Sequence, residues 1–307
     1  MDDIIHTENL TKHFGKVRAV DGISIRVKKG EIYGFLGLNG AGKTTTIRML
    51  LGMIRPSSGR CYLNGKRVHA GARALWNNVG YLVEIPYSYP ELTVQENLEI
   101  IRRLRHIADP GAVDSVIEKL KLGPYRDRKA RKLSLGNAQR LGIAKAIMHD
   151  PNILLLDEPA NGLDPAGIVE IREMLRDLAF NHGVTVFISS HILGEISRFA
   201  TRIGIIDEGK LVQETDTHEL TQYRQKELHV KTRDNQGAEK VLLQEGYTVN
   251  TVNGDLLEIT GKEALSSPDK VASQLVHSGY PPVMLQVEEE DLESYFLRII
   301  GNKEKAT

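Results

Sequence analysis

The sequence predicts an α/β protein: a parallel sheet with helices on both faces, followed by a small α+β domain of ferredoxin-like order. Three observations predict it. Apolar, strand-length runs alternate with helical periodicity from residue 32 to about 206. A glycine-rich loop lies between one such run and a helix. The composition shifts near Asp216, after which glycines are few and a new order of elements begins.

The chain has 307 residues, which suits a domain of about 200 residues plus a smaller one. It is 41% hydrophobic, enough to bury a core. Forty Lys and Arg balance forty Asp and Glu, so there is no electrostatic case for nucleic acid or an anionic membrane as partner. One cysteine, Cys61, excludes an internal disulfide framework; in a short strand-like run it reads as a packed residue rather than a nucleophile. The acidic start Met1–His6 lacks the basic and apolar regions of a secretory leader. No apolar run approaches the roughly 20 residues that span a bilayer. The ten histidines show no metal-ligand spacing, so no zinc site is expected.

Short strands are expected at Ile4–His6, Ile23–Val27 and Ile32–Leu36, then a helix over Lys43–Leu51 and a hairpin turning at Asn64-Gly65. Thr93 and Glu96 form a capping box for a helix spaced by Leu98, Ile101 and Leu104. Asp109-Pro110 opens a helix with Val113, Val116, Ile117 and Leu120 on one face. A third helix runs over Ala138–Met148 and stops before Pro151. Ile153–Leu156 and Val184–Ile188 read as buried parallel strands, with a helix of Ile168, Ile171, Leu175 and Leu178 between them. The domain boundary falls at 216/217. Over 217–307 the order is strand Glu227–Thr232, helix Gln236–Gln244, strands Tyr247–Val252 and Asp255–Thr260, helix Asp269–His277, strand Val283–Val287 and helix Asp291–Ile300.

Two runs carry phosphate chemistry. Gly37-Leu-Asn39-Gly40-Ala41-Gly42-Lys43-Thr44 follows an apolar strand and opens a helix, the context that the phosphate-loop pattern requires. Glycines let the backbone close around phosphates, and free N–H groups at a helix N-terminus favour negative charge. Lys43 is placed to reach the β and γ phosphates, and Thr44 to offer its hydroxyl to Mg²⁺; Thr45 continues the loop. Ile153–Leu156 then carries Asp157 and Glu158 to a strand end. There Asp157 can hold Mg²⁺, and Glu158 can polarise an attacking water. A strand followed by a solvated acidic turn is the competing reading of that second run taken alone.

Between them lies Leu133-Ser134-Leu135-Gly136-Asn137, ahead of a helix. Here the chain resembles the ATP-binding subunits of ABC transporters, whose signature is Leu-Ser-Gly-Gly-Gln in the same order among the motifs. Leu133, Ser134 and Gly136 match; Leu135 and Asn137 depart. Alone, the run could be a helix cap. The resemblance implies the family fold: a parallel-sheet core, an antiparallel β subdomain and a helical subdomain. It implies a nucleotide sandwich in which Ser134 and Gly136 meet ATP bound by a second copy or a paralogous ATPase. It implies that Asn161-Gly162-Leu163-Asp164 faces that partner, with Asp164 near its nucleotide. It gives His191 the role of γ-phosphate switch. It puts Phe14 where an aromatic ring stacks on adenine, a core phenylalanine being the competing reading.

After Gly80-Tyr81-Leu82-Val83 the family normally has Gln, and this chain has Glu84. The family residue senses Mg²⁺ and the attacking water and links the site to the membrane subunit. Glu84 with Pro86, Tyr89-Pro90-Glu91-Leu92-Thr93 and the run from Glu290 to Gly301 is similar to the bacitracin-resistance and lantibiotic-immunity exporters. The resemblance thus implies an ATPase that drives export through separate transmembrane permease subunits and sits on the cytoplasmic side of the membrane. Its rivals are an ABC ATPase acting on DNA or ribosomes, which usually carries two such domains or long inserts, and a module that binds ATP without turnover. Intact Glu158 and His191 argue against the second.

Overall fold

The computed structural model describes residues 3–252 and 255–301; the last six residues of the 217–307 region and the start Met1-Asp2 lie outside it. Among the described residues no helix is long and apolar enough to cross a membrane. Two compact units divide the chain at His218/Glu219.

In the first unit the strands are β1 (Asp3–Phe14), β2 (Val17–Ile23), β3 (Arg26–Lys28), β4 (Ile32–Leu36), β5 (Ser58–Leu63), β6 (Lys66–Arg67), β7 (Val79–Leu82), β8 (Ile153–Asp157), β9 (Thr185–Ser190), β10 (Arg202–Asp207) and β11 (Lys210–Asp216). The helices are α1 (Lys43–Leu50), α2 (Val94–Leu104), α3 (Ala112–Lys119), α4 (Leu135–Ile147), α5 (Pro165–Phe180) and the short α6 (Leu193–Ile196).

The main sheet has the order β11-β10-β4-β9-β8-β7, with β10, β4, β9, β8 and β7 parallel and β11 an antiparallel edge. β4 and β8 are buried at every position, as a sheet covered on both faces requires. A second, antiparallel sheet runs β2-β1-β5-β6, with β3 also on β1. One core cluster joins the sheets: Ile5, Leu10, Val20 and Ile23 from the antiparallel sheet, Ile47, Met49 and Leu50 from α1, and Phe35, Leu155 and Phe187 from the parallel sheet. α1 is therefore anchored against apolar surface, which fixes the loop before it. Helices α2, α3 and α4 pack on one another as a helical subdomain, and α4 also packs on β7.

Several boundaries differ from expectation. The strand expected at Ile4–His6 is the start of a twelve-residue strand that survives irregular register between Leu10 and His13. The strand expected at Ile23–Val27 is interrupted at Ser24-Ile25. There Thr7 Oγ1 accepts from Ile25 N and donates to Ile23 O, replacing ladder bonds. Helix α4 begins at Leu135, not Ala138, because Ser134 Oγ accepts from Asn137 N and caps it. Helix α3 begins at Ala112, because the Asp109 carboxylate accepts from Gly111 N and holds a turn there. The capping box at Thr93 and Glu96 is formed in full, and Asn64 and Gly65 take the positive φ values of the hairpin turn, 50° and 70°. Cys61 is buried, and burial pushes its thiol up to about 12, too high for a reactive thiolate.

The second unit is built from α7 (Leu220–Tyr223), β12 (Lys226–Thr232), α8 (Asn235–Gln244), β13 (Thr248–Val252), β14 (Leu256–Thr260), α9 (Lys262–Ser266), α10 (Pro268–His277), β15 (Pro282–Glu289) and α11 (Leu292–Gly301). Its sheet order is β13-β14-β12-β15, all antiparallel, the arrangement of a βαββαβ ferredoxin-like fold. Leu228, Val230, Leu257 and Ile259 form its core with Ala238, Leu242, Val271 and Leu275 of α8 and α10. The short helix α9 was not legible in the sequence.

Candidate nucleotide site

The phosphate loop joins β4 to α1, and its glycines are needed for shape. Gly40 and Gly42 have φ of +85° and +110°, in the region that side chains rarely adopt. At Gly42 a Cβ would also lie 2.4 Å from Ala19 O. Gly37 N donates to Ser190 O at 3.2 Å, tying the loop to the end of β9. Ala41 is buried, while Asn39 is exposed. Lys43 is buried and donates from Nζ to Gly37 O (2.6 Å) and Leu38 O (3.2 Å).

Asp157 ends β8, directly opposite Ser189 on β9. Each oxygen of its carboxylate accepts from one hydroxyl: Thr44 Oγ1 donates to Oδ2 at 2.7 Å, and Ser189 Oγ donates to Oδ1 at 2.5 Å. The partly buried Thr44 hydroxyl and the buried Asp157 carboxylate side by side form a hard oxygen set, which fits Mg²⁺.

Glu158 follows with φ of +49°, unusual for a residue with a side chain. Such a conformation costs of order 1–3 kcal/mol and persists only where neighbours hold it. Here Glu158 N donates to Ser189 Oγ (3.0 Å), and Gln139 Nε2 of α4 donates to Glu158 O (3.1 Å). The carboxylate is thereby aimed between two basic groups. Oε2 lies 2.9 Å from His191 Nδ1. Oε1 lies 3.2 Å from Lys43 Nζ, a charge contact without hydrogen-bond alignment, so this buried oxygen keeps unused acceptor capacity.

The structure thus brings Lys43, Thr44, Asp157, Glu158 and His191 into one network. Ser189 and Gln139 complete it through hydrogen bonds that the sequence does not reveal, because only the neighbouring of β8 with β9 and of α4 with the β8 turn brings them there. Other expected residues stand apart from it. Glu84, also at positive φ (58°), pairs its Oε1 with Arg48 Nη2 of α1 at 2.5 Å. Ser134 caps α4 by accepting from Asn137 N at 3.3 Å, and Asp164 caps α5 by accepting from Gly167 N at 2.9 Å. The loops that carry them touch: a Cβ on Gly136 would lie 3.3 Å from Gly162 O. Phe14, at the end of β1, is half exposed, with Lys12 Nζ 5.0 Å from its ring centre. Thr45 is partly buried at the start of α1.

Beyond Glu84 lies a groove of about 520 Å³ lined by Arg48, Tyr81, Glu84, Tyr87, Leu104 and Lys145, among others. Ile85 and Tyr87 stand 79% and 76% exposed beside it, more apolar surface than a solvated loop needs.

The family model for ABC transporters matches residues 20–161. The chain is 41% identical over 303 residues to the bacitracin transport ATP-binding protein BcrA of Bacillus licheniformis, covering 98% of each. It is 34% identical over 213 residues to the lantibiotic transport ATP-binding protein SrtF of Streptococcus pyogenes, covering 69% of this chain and 91% of that one. Among solved structures, a bacterial ABC transporter cassette determined as a dimer aligns with a TM-score of 0.64 at 26% identity, over 69% of this chain and 98% of that one. A cassette from Clostridium perfringens gives a TM-score of 0.64 at 24% identity, over 80% and 96%, a likeness of fold.

Proposed function

Because the chain belongs to the ABC transporter family of ATP-binding subunits, we propose that it powers export of a peptide antibiotic or similar amphiphilic compound. It is an ATPase of that family, acting in transport rather than on DNA or ribosomes. The cargo class rests on the relative named for bacitracin transport, because the similarity runs through the second unit as well as the first.

The observation that carries the catalytic reading is the placement of the Glu158 carboxylate between Lys43 and His191. Lys43 binds phosphate as a buried point charge. The backbone of Gly37–Thr45 wraps the phosphates, with Asn39, Gly40, Ala41 and Gly42 at the close approach. Thr44 and Asp157 would hold Mg²⁺, which when bound supplies positive charge to the phosphate oxygens. Glu158 takes the proton of the attacking water, and its fixed backbone limits where the carboxylate can swing. His191 holds that carboxylate on one side and would meet the γ-phosphate when ATP is bound. Phe14 offers an exposed ring to adenine.

The exposure of Ser134 and Asp164 on touching loops, with Gly136 partly exposed between them, supports a second chain completing each site from outside. The groove beyond Glu84, with Ile85 and Tyr87 exposed, suits a segment of a permease subunit, which would keep the protein peripheral to the membrane.

The test is disruption of the gene in its own host, with complementation by wild type and by Glu158→Gln. Sensitivity to bacitracin-type or lantibiotic peptides should rise on disruption and be rescued only by wild type. Unchanged susceptibility across those peptides would overturn the cargo assignment.

A further inference from the structure

The second unit covers one face of its sheet with α8 and α10, and the other face carries an unusual set of charges. Along β12, Leu228 and Val230 enter the core, so Glu227 and His229 project from the opposite face. Glu258 of β14 stands directly across from His229, and Glu288 of β15 stands directly across from Glu227. Like charges opposite one another on neighbouring strands destabilise a sheet.

Basic side chains nearby are engaged elsewhere. Arg298 holds Glu290 through two bonds, Arg224 reaches Glu289, and Lys231 pairs with Asp255. Among the described residues, His229 is the one basic group in ion-pair range of Glu227 and Glu258. Its Nε2 lies 3.7 Å from Glu227 Oε2 and 3.7 Å from Glu258 Oε1, too far to hydrogen-bond either. The nitrogen and the two oxygens all lie within 4.8 Å of one another. Around them is a cleft of about 320 Å³, to which Glu288, Glu289 and Asp291 also contribute.

We propose that Glu227, His229 and Glu258 form a binding site for a first-row divalent cation of the zinc class. One imidazole nitrogen with two carboxylates suits a borderline cation better than Mg²⁺ or Ca²⁺, which prefer oxygen alone. Zinc bonds of about 2.0–2.2 Å in tetrahedral array separate their donors by about 3.4 Å; the two nitrogen–oxygen distances of 3.7 Å are close to that, and the two carboxylate oxygens, within 4.8 Å of each other, close onto an ion by side-chain rotation. A cation there would also offset the Glu227–Glu288 repulsion. Three protein ligands at partly exposed positions leave room for water or an exchanging ligand, as befits a sensing rather than a purely structural site.

The experiment uses the full-length chain, stripped with chelator and titrated with Zn²⁺ alone. Wild type, His229→Ala and Glu258→Gln are compared by calorimetry and by metal analysis after dialysis. Wild type should take up Zn²⁺ saturably, and each variant should bind at this site about 10-fold or more weakly. Circular dichroism and stabilisation by ATP check that each variant is folded; Glu258→Gln keeps the side-chain shape and decides the matter if His229→Ala does not fold. Zinc held elsewhere is common to all three proteins and cancels in the difference. Absence of saturable uptake by wild type, or uptake equal in wild type and the folded variants, overturns the site.

Discussion

Arg48 and Glu84 are joined by an ion pair of 2.5 Å that ties helix α1, which follows the glycine-rich loop, to the loop leaving β7. The pair is well exposed, at 39% and 52% for the two side chains, so its contribution to stability is about 0–1 kcal/mol. Its consequence is positional. While the pair is made, the Glu84 carboxylate is held at Arg48 rather than at Asp157 and Thr44.

Glu84→Gln removes the charge at nearly constant shape and frees Arg48. Thermal stability should change little. The Mg²⁺ dependence and the pH profile of ATP turnover should shift, while ATP affinity without metal stays close to wild type. Export should suffer more than hydrolysis, because this loop borders the exposed groove. Turnover measured against Mg²⁺ and pH, with peptide resistance in cells, checks this. Superimposable curves with unchanged resistance would leave Glu84 a neutral substitute for Gln.

Glu158→Gln keeps the hydrogen-bonding shape and removes the base. ATP should still bind, and steady-state phosphate release should fall by roughly 10²–10⁴. Near-normal release would reassign the base.

Hydrolysis should need two chains. Ser134→Arg, placed on a loop outside its own chain's Lys43–Glu158 network, should block the site completed by that loop on its partner. Mixed with wild type, it should lower specific activity in proportion to the variant dimers formed. A specific rate independent of protein concentration down to fully monomeric protein would refute the sandwich.

Acid should destabilise the first unit through His149. This imidazole follows α4, is partly buried, and its Nε2 contacts Val79 O at 3.1 Å. Burial first, then the nearby Arg105 charge, lowers its pKa to about 4. The folded value lies below the unfolded value of about 6.5, so the unfolded chain binds the proton first. The contribution to stability is whole above about pH 6.5 and is lost as pH falls towards 4, on the order of 1–3 kcal/mol after allowance for partial exposure. Denaturant unfolding across that range should show the loss, and His149→Gln should flatten it. An equal slope in the variant would place the titration elsewhere.

The sequence by itself determined the glycine loop before α1, the apolar strand ending in Asp157, the capping box at Thr93, the hairpin at Asn64-Gly65 and the family. Each is a local pattern. Glycines at fixed offsets before Lys43, or an apolar run ending in Asp157-Glu158, dictate backbone shape and side-chain placement over a few residues. The same locality leaves alternatives open. Ser134 reads as a cap or as a phosphate ligand, and only the start of α4 at Leu135 shows the cap being made.

The tertiary structure alone decided which distant groups meet. Ser189 completes Asp157 because β9 lies beside β8 with those residues in register. Arg48 meets Glu84 across 36 positions of sequence. Glu258 faces His229 because β14, not β13, pairs with β12; a search for histidine spacing along the chain therefore finds no ligand set there. The physical reason is common to all three. Strand order and register follow from how buried side chains fill the space between layers, a property of the whole core that no short segment encodes.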